Sequence, residues 1–151
     1  MELEIPLSLR VEHNELHAEL VQATQAPGKV GEAAREVARA LHPHFVREEE
    51  FALPPLGLLS ALAQGQVTPE MRGVLAKTDR LKVELPRMLE EHRSIAAALE
   101  TLKQVAREEG AEGYADLAER LMLHAQTEEE VMYPATILIG EYLKLKLFQA
   151  P

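Results

Sequence analysis

The sequence predicts an all-α protein: a four-helix up-down-up-down bundle with a short helical insertion and a C-terminal helix. Hydrophobic residues make up 46% and charged residues 27% of the chain, with the Ala, Leu, Glu and Arg bias of helical proteins. Apolar residues recur every three or four positions through long segments. One helical pattern also occurs twice, and two helical hairpins make a four-helix bundle.

The length of 151 residues favours one domain with a substantial core, covering residues 1–151. Within it we predict a first hairpin over residues 8–54 and an insertion over 56–85. A second hairpin follows over 86–134 and a C-terminal helix over 135–148. One domain of this size is expected to hold a single functional site.

The first hairpin consists of two amphipathic segments. Ser8 can cap a helix that runs to about Gln25, where the stretch APGKVG breaks it. The second helix runs from about Glu32 to Ala52. Pro43 should kink this helix or start a new segment, because a proline inside a helix removes one backbone donor.

The rest of the chain consists of helical segments with apolar stripes, separated by stretches that break the helix. The insertion is predicted as a short helix, LGLLSALA, followed by a Gly-Gln break and a Thr-Pro pair that starts another segment. The third long helix starts at Pro86 or is kinked there, and the stretch REEG ends it. A fourth helix runs from about Tyr114 to Tyr133, where a proline follows. The tail is predicted as a last helix, although LKLKLF also alternates like a strand.

Charge and composition exclude several classes of function. The net charge of -9 repels phosphate backbones, so nucleic acid is not expected as a partner. The chain has no cysteine, so any metal must be held by histidine and carboxylate. The start, MELEIPLSLR, is acidic where a signal peptide is basic, and no apolar run approaches membrane-spanning length. We therefore expect a cytoplasmic protein without a membrane partner.

One motif occurs twice, as HFVREEEFALP over residues 44–54 and as HAQTEEEVMYP over 124–134. A Glu-His pair precedes each copy, at 12–13 and at 91–92, with nearly equal spacing. The histidine and the first glutamate of the motif are four residues apart, so both point from one face of a helix. Each half is thus one helical hairpin, and a pseudo-twofold axis is expected to relate the two.

Six residues of this repeat interrupt otherwise apolar stripes and would therefore be buried. They are His13, His44, Glu48, His92, His124 and Glu128. A buried carboxylate without a partner costs several kcal/mol, whereas a metal cation supplies the missing counter-charge. Nitrogen and carboxylate ligands without sulfur suit Fe, Mn or Zn.

The number of ligands favours two ions rather than one. Four histidines and two glutamates exceed the needs of one tetrahedral zinc, and Glu48 and Glu128 each have two oxygens with which to bridge. With a further oxide or hydroxide bridge, a pair of six-coordinate ions keeps roughly two open positions. His17, one turn from His13, is a candidate fifth histidine that would leave one open position for a small ligand.

Each feature also has an ordinary structural interpretation. A single inward histidine is usually a core residue with satisfied hydrogen bonds, and an i,i+4 His-Glu pair is usually a surface contact. The second and third glutamates of each EEE run are expected on a solvated face. Glu12 and Glu91 are expected to be solvent charges, because they point about 100° away from the adjacent histidines.

The order EH, HxxxEEE, EH, HxxxEEE in a helical chain of this length resembles the hemerythrin-like HHE cation-binding domain. The resemblance covers essentially the whole chain except residues 56–85. It implies a four-helix bundle around an oxo- or hydroxo-bridged di-iron centre that binds dioxygen or a related diatomic ligand. It also implies that the four histidines of the set above bind iron and that Glu48 and Glu128 bridge the two ions.

The sequence departs from the oxygen-carrying hemerythrins at two places. Their third helix has a second histidine four residues from the first, where this chain has Met88 or Ala96. They use His-x-x-x-x-Asp on the fourth helix, where this chain has Glu128 four residues after His124. A di-iron centre remains the expectation, and the case for reversible oxygen carriage is weaker.

The predicted function is a di-iron protein, not an enzyme, that binds or senses dioxygen, nitric oxide or iron. Such a centre needs a dry pocket. The residues expected to line it are Leu16, Leu41, Phe45, Met88, Leu89, Ile95, Leu121 and Val131. One alternative is a di-iron oxidase or peroxidase, or a protein that stores or donates iron; another is a metal-free helical interaction module. A sensor would need a separate signalling partner, and the apolar tail could dock one or form a homodimer.

Overall fold

A computed structural model describes residues 2–148 of the chain. All regular structure in this range is helical, without a strand, so the predicted all-α class is confirmed and the tail is a helix. The α-helices are α1 (Leu7–Ala23), α2 (Gly28–Arg47), α3 (Leu59–Ala63), α4 (Leu75–Glu108), α5 (Glu112–Thr127) and α6 (Tyr133–Leu147). Two short 3-10 turns, Pro54–Leu58 and Pro69–Val74, flank α3.

The bundle consists of α1, α2, α4 and α5, and each of these helices packs against two neighbours in a closed ring. Helix α6 continues from the end of α5 and packs against α4. The apolar stripes predicted from the sequence meet inside the ring, where Leu20, Val37, Leu99 and Leu102 are buried. Burying each such side chain contributes about 1.5–3 kcal/mol, so the stripes determine which helix faces turn inward.

A wide π-helical turn follows α2 and α5 at each copy of the repeated motif. The turns cover Glu48–Ala52 and Glu128–Met132. The carbonyl of Glu48 accepts a hydrogen bond of 2.9 Å from the N–H of Leu53, and the Glu128 carbonyl accepts one from the N–H of Tyr133. Such i→i+5 turns are rare and occur often at functional sites. The helical path therefore continues past the end of α5 into α6, where Pro134 occupies the first turn instead of ending the helix.

The largest difference from the predicted boundaries concerns the third long helix. It begins at Leu75, so residues 75–85 belong to α4 and not to the insertion, and Pro86 lies within the helix. Leu81 in these added turns is buried against Phe51, which explains why the helix extends so far. Tertiary packing of this kind is invisible to local proline and capping signals.

One smaller prediction, about a helix end, is also wrong: Ser8 lies inside α1, and Pro6 stands at its N-terminal cap position. Pro43 lies within α2, which continues through it, so no new segment starts there. Pro43 and Pro86 are both exposed, so each ring faces solvent and avoids the packed face of its helix. Within residues 2–148, no helix combines the length and the apolar character that a membrane crossing requires.

Candidate metal centre

Two groups of potential ligands lie in the middle of the bundle. The first, called the His44 group here, consists of His44, Glu48, His92 and Glu128. The second, the His13 group, consists of His13, His124 and Glu128. In each group one ligand atom per residue lies within 4.8 Å of every other, and all of these side chains are buried. Glu128 belongs to both groups, so the two potential sites are adjacent.

The two glutamates each face one histidine from each group. Glu48 Oε1 lies 3.6 Å from His13 Nε2 and 3.5 Å from His44 Nε2. The Glu128 oxygens lie 3.4 Å from His92 Nε2 and 3.3 Å from His124 Nε2. These separations are long for hydrogen bonds. They match two ligand atoms on one ion, which lie about 3–3.5 Å apart when each is about 2.1 Å from the metal.

Four buried polar atoms at the centre of these groups have no hydrogen-bond partner among the residues that the structure describes. They are His13 Nε2, Glu48 Oε1, His124 Nε2 and Glu128 Oε2. An unsatisfied buried polar group costs about 1–3 kcal/mol, and native proteins contain few of them. Cations held by the two groups would satisfy all four, so the residues present fit a metal centre.

Each of the four histidines also contacts a carboxylate through its outer ring nitrogen, Nδ1. A carboxylate only accepts hydrogen bonds, so Nδ1 carries the proton and Nε2 keeps a lone pair directed at the centre. The four pairs are His13–Glu49 (3.0 Å), His44–Glu91 (3.3 Å), His92–Glu129 (2.9 Å) and His124–Glu12 (2.6 Å). The expectation that Glu12 and Glu91 are only solvent charges is therefore wrong, whereas Glu49 and Glu129 lie on an exposed face, as expected, and contact a ring as well.

The reason for this error is the direction in which each glutamate points. Glu12 does point away from the adjacent His13, as the helix geometry requires. In doing so it points toward the neighbouring helix α5, where it accepts from His124. The repetition of the Glu-His pair and of the EEE run in both halves was the signal that could have identified these contacts.

Tyr133 is a further residue of the site that sequence reasoning missed. Its buried hydroxyl donates a hydrogen bond of 2.9 Å to Glu48 Oε2. It also lies 3.1 Å from Nε2 of His44 and 3.2 Å from Nε2 of His92. Burial, reinforced by the negative charge of Glu48, raises the pKa of this phenol far above its usual value, so the hydroxyl keeps its proton. The π turn accounts for the placement, because it changes which residues after Glu128 face the bundle.

The pKa values within the metal-free cluster follow from competition between burial and charge. Burial lowers the pKa of His44 to about 4, which leaves its ring neutral at pH 7. Burial acts on His13 in the same direction, but Glu48 and Glu49 outweigh it and raise the His13 pKa. Burial would raise the pKa of Glu48, yet contacts with His13 and His44 hold it below its usual value. A charged Glu48 is in the protonation state that metal binding requires.

The candidate fifth histidine does not join either group. The ring of His17 lies 5.8 Å from the rings of His42 and Phe45, measured between centroids. Phe45 packs 3.9 Å from the His13 ring and so contacts both histidines. A residue one turn along from His13 is rotated by about 40° around the helix, and here that rotation places His17 beside Phe45.

The predicted pocket residues are mostly inside the bundle. Leu16, Leu41, Phe45, Met88, Ile95 and Leu121 are buried, and Leu89 is half-buried. Val131 is 58% exposed, so its prediction is wrong. Phe51 holds the same place in the first motif and is only 1% exposed, because Arg80 and Leu81 of the extended α4 pack over it. Helix α1 begins at Leu7 and has no comparable extension.

Comparison with known proteins bears on what this cluster holds. No match to the chain was found among curated proteins or among solved structures. The family model described as the hemerythrin HHE cation binding domain matches residues 8–136, which include all six buried histidines and glutamates of the two groups. Together with the helical bundle and the unpartnered atoms at its centre, this match identifies the chain as a member of the hemerythrin HHE cation-binding domain family.

Proposed function

We propose that the protein is a non-haem di-iron protein that binds dioxygen or a related diatomic ligand such as nitric oxide. The observation that carries this proposal is the sharing of Glu128 between two groups of buried ligands. One carboxylate common to two sites suits a pair of ions a few ångströms apart. Bound iron would supply a redox couple and open positions for a small ligand.

The chain's own residues have three tasks in this proposal. Iron ions would be held by the Nε2 lone pairs of the four histidines and by the carboxylates of Glu48 and Glu128, whose negative charge would offset that of the ions. The carboxylates on Nδ1 hold each ring in one orientation and raise its basicity as a ligand. Buried apolar side chains such as Phe45 and Ile95 exclude water from the centre.

A second candidate function is a di-iron oxidase or peroxidase, or a protein that stores or donates iron. The position of His17 favours it, because a centre without a fifth histidine keeps more open positions for a substrate or reductant. A neutral, buried Tyr133 hydroxyl beside His44 and His92 offers a hydrogen-bond donor at this side of the centre. The two functions share the same metal site and differ in what happens after oxidation.

The first test is the metal content of protein produced with iron available, measured by elemental analysis. The optical spectrum is then recorded in air, after anaerobic reduction, and after dioxygen is readmitted. We expect two irons per chain and absorption bands that disappear on reduction and return with dioxygen. Bands that form once and never return would favour the oxidase or iron-handling function instead.

Two histidine variants make the test specific. His92→Ala removes a member of the His44 group and should lower the iron content, whereas His42→Ala changes an exposed ring and should leave it unchanged. A wild-type chain that folds equally well with a chelator and never retains metal would contradict the di-iron proposal. It would leave the metal-free helical module as the explanation.

A further inference from the structure

Two of the grooves that flank the ligand groups are built differently. The groove between α1 and α5 holds a cavity of about 390 Å³ whose walls include Leu9, Glu12, Leu16, Leu123, His124 and Thr127. The repeat relates it to the groove between α2 and α4, where Glu91 replaces Glu12, His44 replaces His124 and Arg47 replaces Thr127. Other wall positions differ as well, since Ser94 corresponds to Glu15 and Ala40 to Arg120, and the contrast between Arg47 and Thr127 lies beside a matched histidine and glutamate.

Arg47 covers the ligand on its side of the bundle. Its guanidinium forms an ion pair with Glu91, the carboxylate that accepts from His44 Nδ1. The side chains of Arg47 and Glu91 are only 18% and 24% exposed. On the other side Glu12 is 52% exposed, and Thr127 is too short to reach across the groove in the same way. The α2/α4 groove is closed by a charged pair, and the α1/α5 groove is open.

The open groove has the size and charge that suit a partly hydrated cation. Liquid water occupies about 30 Å³ per molecule, so a cavity of about 390 Å³ has room for an ion with several waters. Glu12, Glu15 and Arg120 line the cavity, and the positive charge of Arg120 is offset by Glu19 at 2.7 Å, so the two glutamates leave the cavity negative. At its inner wall lies His124, a buried residue whose Nε2 lacks a hydrogen-bond partner in the described part of the chain.

A neutral diatomic ligand has no need of such a route, because it carries no charge that must be solvated on the way. A divalent ion does, since moving a charge through an apolar bundle without water or carboxylates is very costly. A negative cleft also concentrates cations and raises their association rate. The groove chemistry therefore matches a metal ion better than a gas.

We propose that divalent metal ions reach the buried centre through the α1/α5 groove, past Glu12 and His124, and that the Arg47–Glu91 pair closes the equivalent α2/α4 groove. The inference rests on the proposed metal centre. It adds a role in the rate of metal uptake for residues that line the two grooves. Among these residues, only Glu12 and Glu91 contact a histidine of the two ligand groups.

The test measures how fast metal-free protein takes up Co²⁺, whose visible absorption reports histidine and carboxylate ligation. Thr127→Arg places an arginine in the α1/α5 groove, at the position that corresponds to Arg47 in the α2/α4 groove. We expect uptake at least about tenfold slower than in the wild type, because a positive charge then faces the incoming ion. The final amount of bound Co²⁺ should remain that of the wild type.

Thr101→Arg on α4 is the matched control. Both threonines donate a hydrogen bond to the carbonyl four residues earlier, Thr127 to Leu123 at 3.0 Å and Thr101 to Ala97 at 3.3 Å. Thr101 lies more than two turns beyond His92, so its substitution adds the same charge outside the groove. Uptake within about twofold of the wild type is expected, since distant exposed charges are screened by salt.

Two further variants extend the test. In the double variant Arg47→Thr/Thr127→Arg the α2/α4 groove is opened while the α1/α5 groove is closed, and we expect most of the uptake rate to return. Glu15→Gln removes a charge from the cavity wall without touching a ligand, and should slow uptake about two- to threefold. This milder change remains informative should the arginine variant be unstable.

The possible outcomes distinguish an error in the proposed route from an error in the proposed metal centre. If Thr127→Arg and Glu15→Gln take up Co²⁺ at the wild-type rate, the route is wrong while the metal centre stands. If Thr101→Arg slows uptake as much as Thr127→Arg, the effect is one of overall charge and the groove has no special role. A wild-type protein that binds no Co²⁺ at equilibrium would instead contradict the proposed function.

Discussion

The two halves of the molecule agree closely at the ligands and differ around them. In both halves a lone histidine and a His-x-x-x-Glu motif turn inward, and in both the outer ring nitrogens contact glutamates of the opposite half or of the neighbouring helix. Both motifs also form a π turn at the first glutamate. The inner candidate ligands and the carboxylates that contact them form one repeated unit.

The surroundings are not repeated. Tyr133 reaches His44, His92 and Glu48, whereas the matching residue in the first half is Leu53, which packs in an apolar cluster. Arg47 pairs with Glu91, whereas the matching residue in the second half is Thr127. The comparison teaches that two groups of similar candidate ligands can differ in their hydrogen bonds and in the residues that surround them. The following substitutions test how strongly that difference affects metal binding and stability.

The largest effect is expected from the shared carboxylate. Glu128→Gln removes a ligand from both groups, whereas Glu48→Gln removes one from the His44 group and a contact of His13. We expect Glu128→Gln to weaken binding of both ions by at least about 100-fold, more than loss of an outer partner would. Glu48→Gln should retain more metal. Elemental analysis after dialysis measures this, and two ions retained by Glu128→Gln would contradict the shared-ligand geometry.

The next largest effects are expected from the carboxylates that contact Nδ1 of the histidines. Their order should follow from the different surroundings of Glu91 and Glu12. Glu91→Gln weakens contacts with both His44 and Arg47, whereas Glu12→Gln affects only the contact with His124. Loss of such a partner typically lowers metal affinity about 10- to 100-fold, and we expect Glu91→Gln at the upper end. Competition with a chelator gives the affinities. Glu130→Gln is the control, because Glu130 accepts a hydrogen bond from Gln126 on an exposed surface; an equal loss there would rule out a specific role for the ring contacts.

Tyr133→Phe tests the residue that makes the His44 group different. It leaves Glu48 Oε2 without its donor, and an unsatisfied buried carboxylate oxygen should cost about 1–2 kcal/mol of unfolding free energy in the metal-free protein. Urea unfolding measures the change. Tyr142→Phe on α6 alters a tyrosine outside the ligand groups and should have little effect. Equal stability of Tyr133→Phe and wild type would show that the hydroxyl does not support Glu48 in solution.

The smallest effect is expected from His17→Ala. Because His17 packs beside Phe45 and His42 and lies outside both ligand groups, metal content should stay at the wild-type value. The unfolding free energy should change by about 1 kcal/mol or less, as for a half-buried residue without a special contact. Loss of one ion from this variant would mean that His17 moves to the metal when it binds.

Helical periodicity was sufficient to predict the inner residues of the site. His44 and Glu48 share a helix face at four-residue spacing, and both sit in a stripe that must be buried. The same argument applied to His124 and Glu128. Periodicity describes one helix at a time, however, so it gave no information on the partner of Glu12, which lies on a different helix. Errors at Val131 and at the start of α4 have the same origin, because the packing of one element over another decided them.

The sequence by itself determined the all-α bundle and the six inward histidines and glutamates. The reason is that the hydrophobic stripes, and the polar residues that interrupt them, follow the spacing of a single helix. Only the tertiary structure decided the two π turns, the carboxylate on each Nδ1, the position of Tyr133 and the exclusion of His17. These features depend on which surfaces meet across the bundle. They are set by packing and by the need to satisfy buried polar groups between helices, which no single segment encodes.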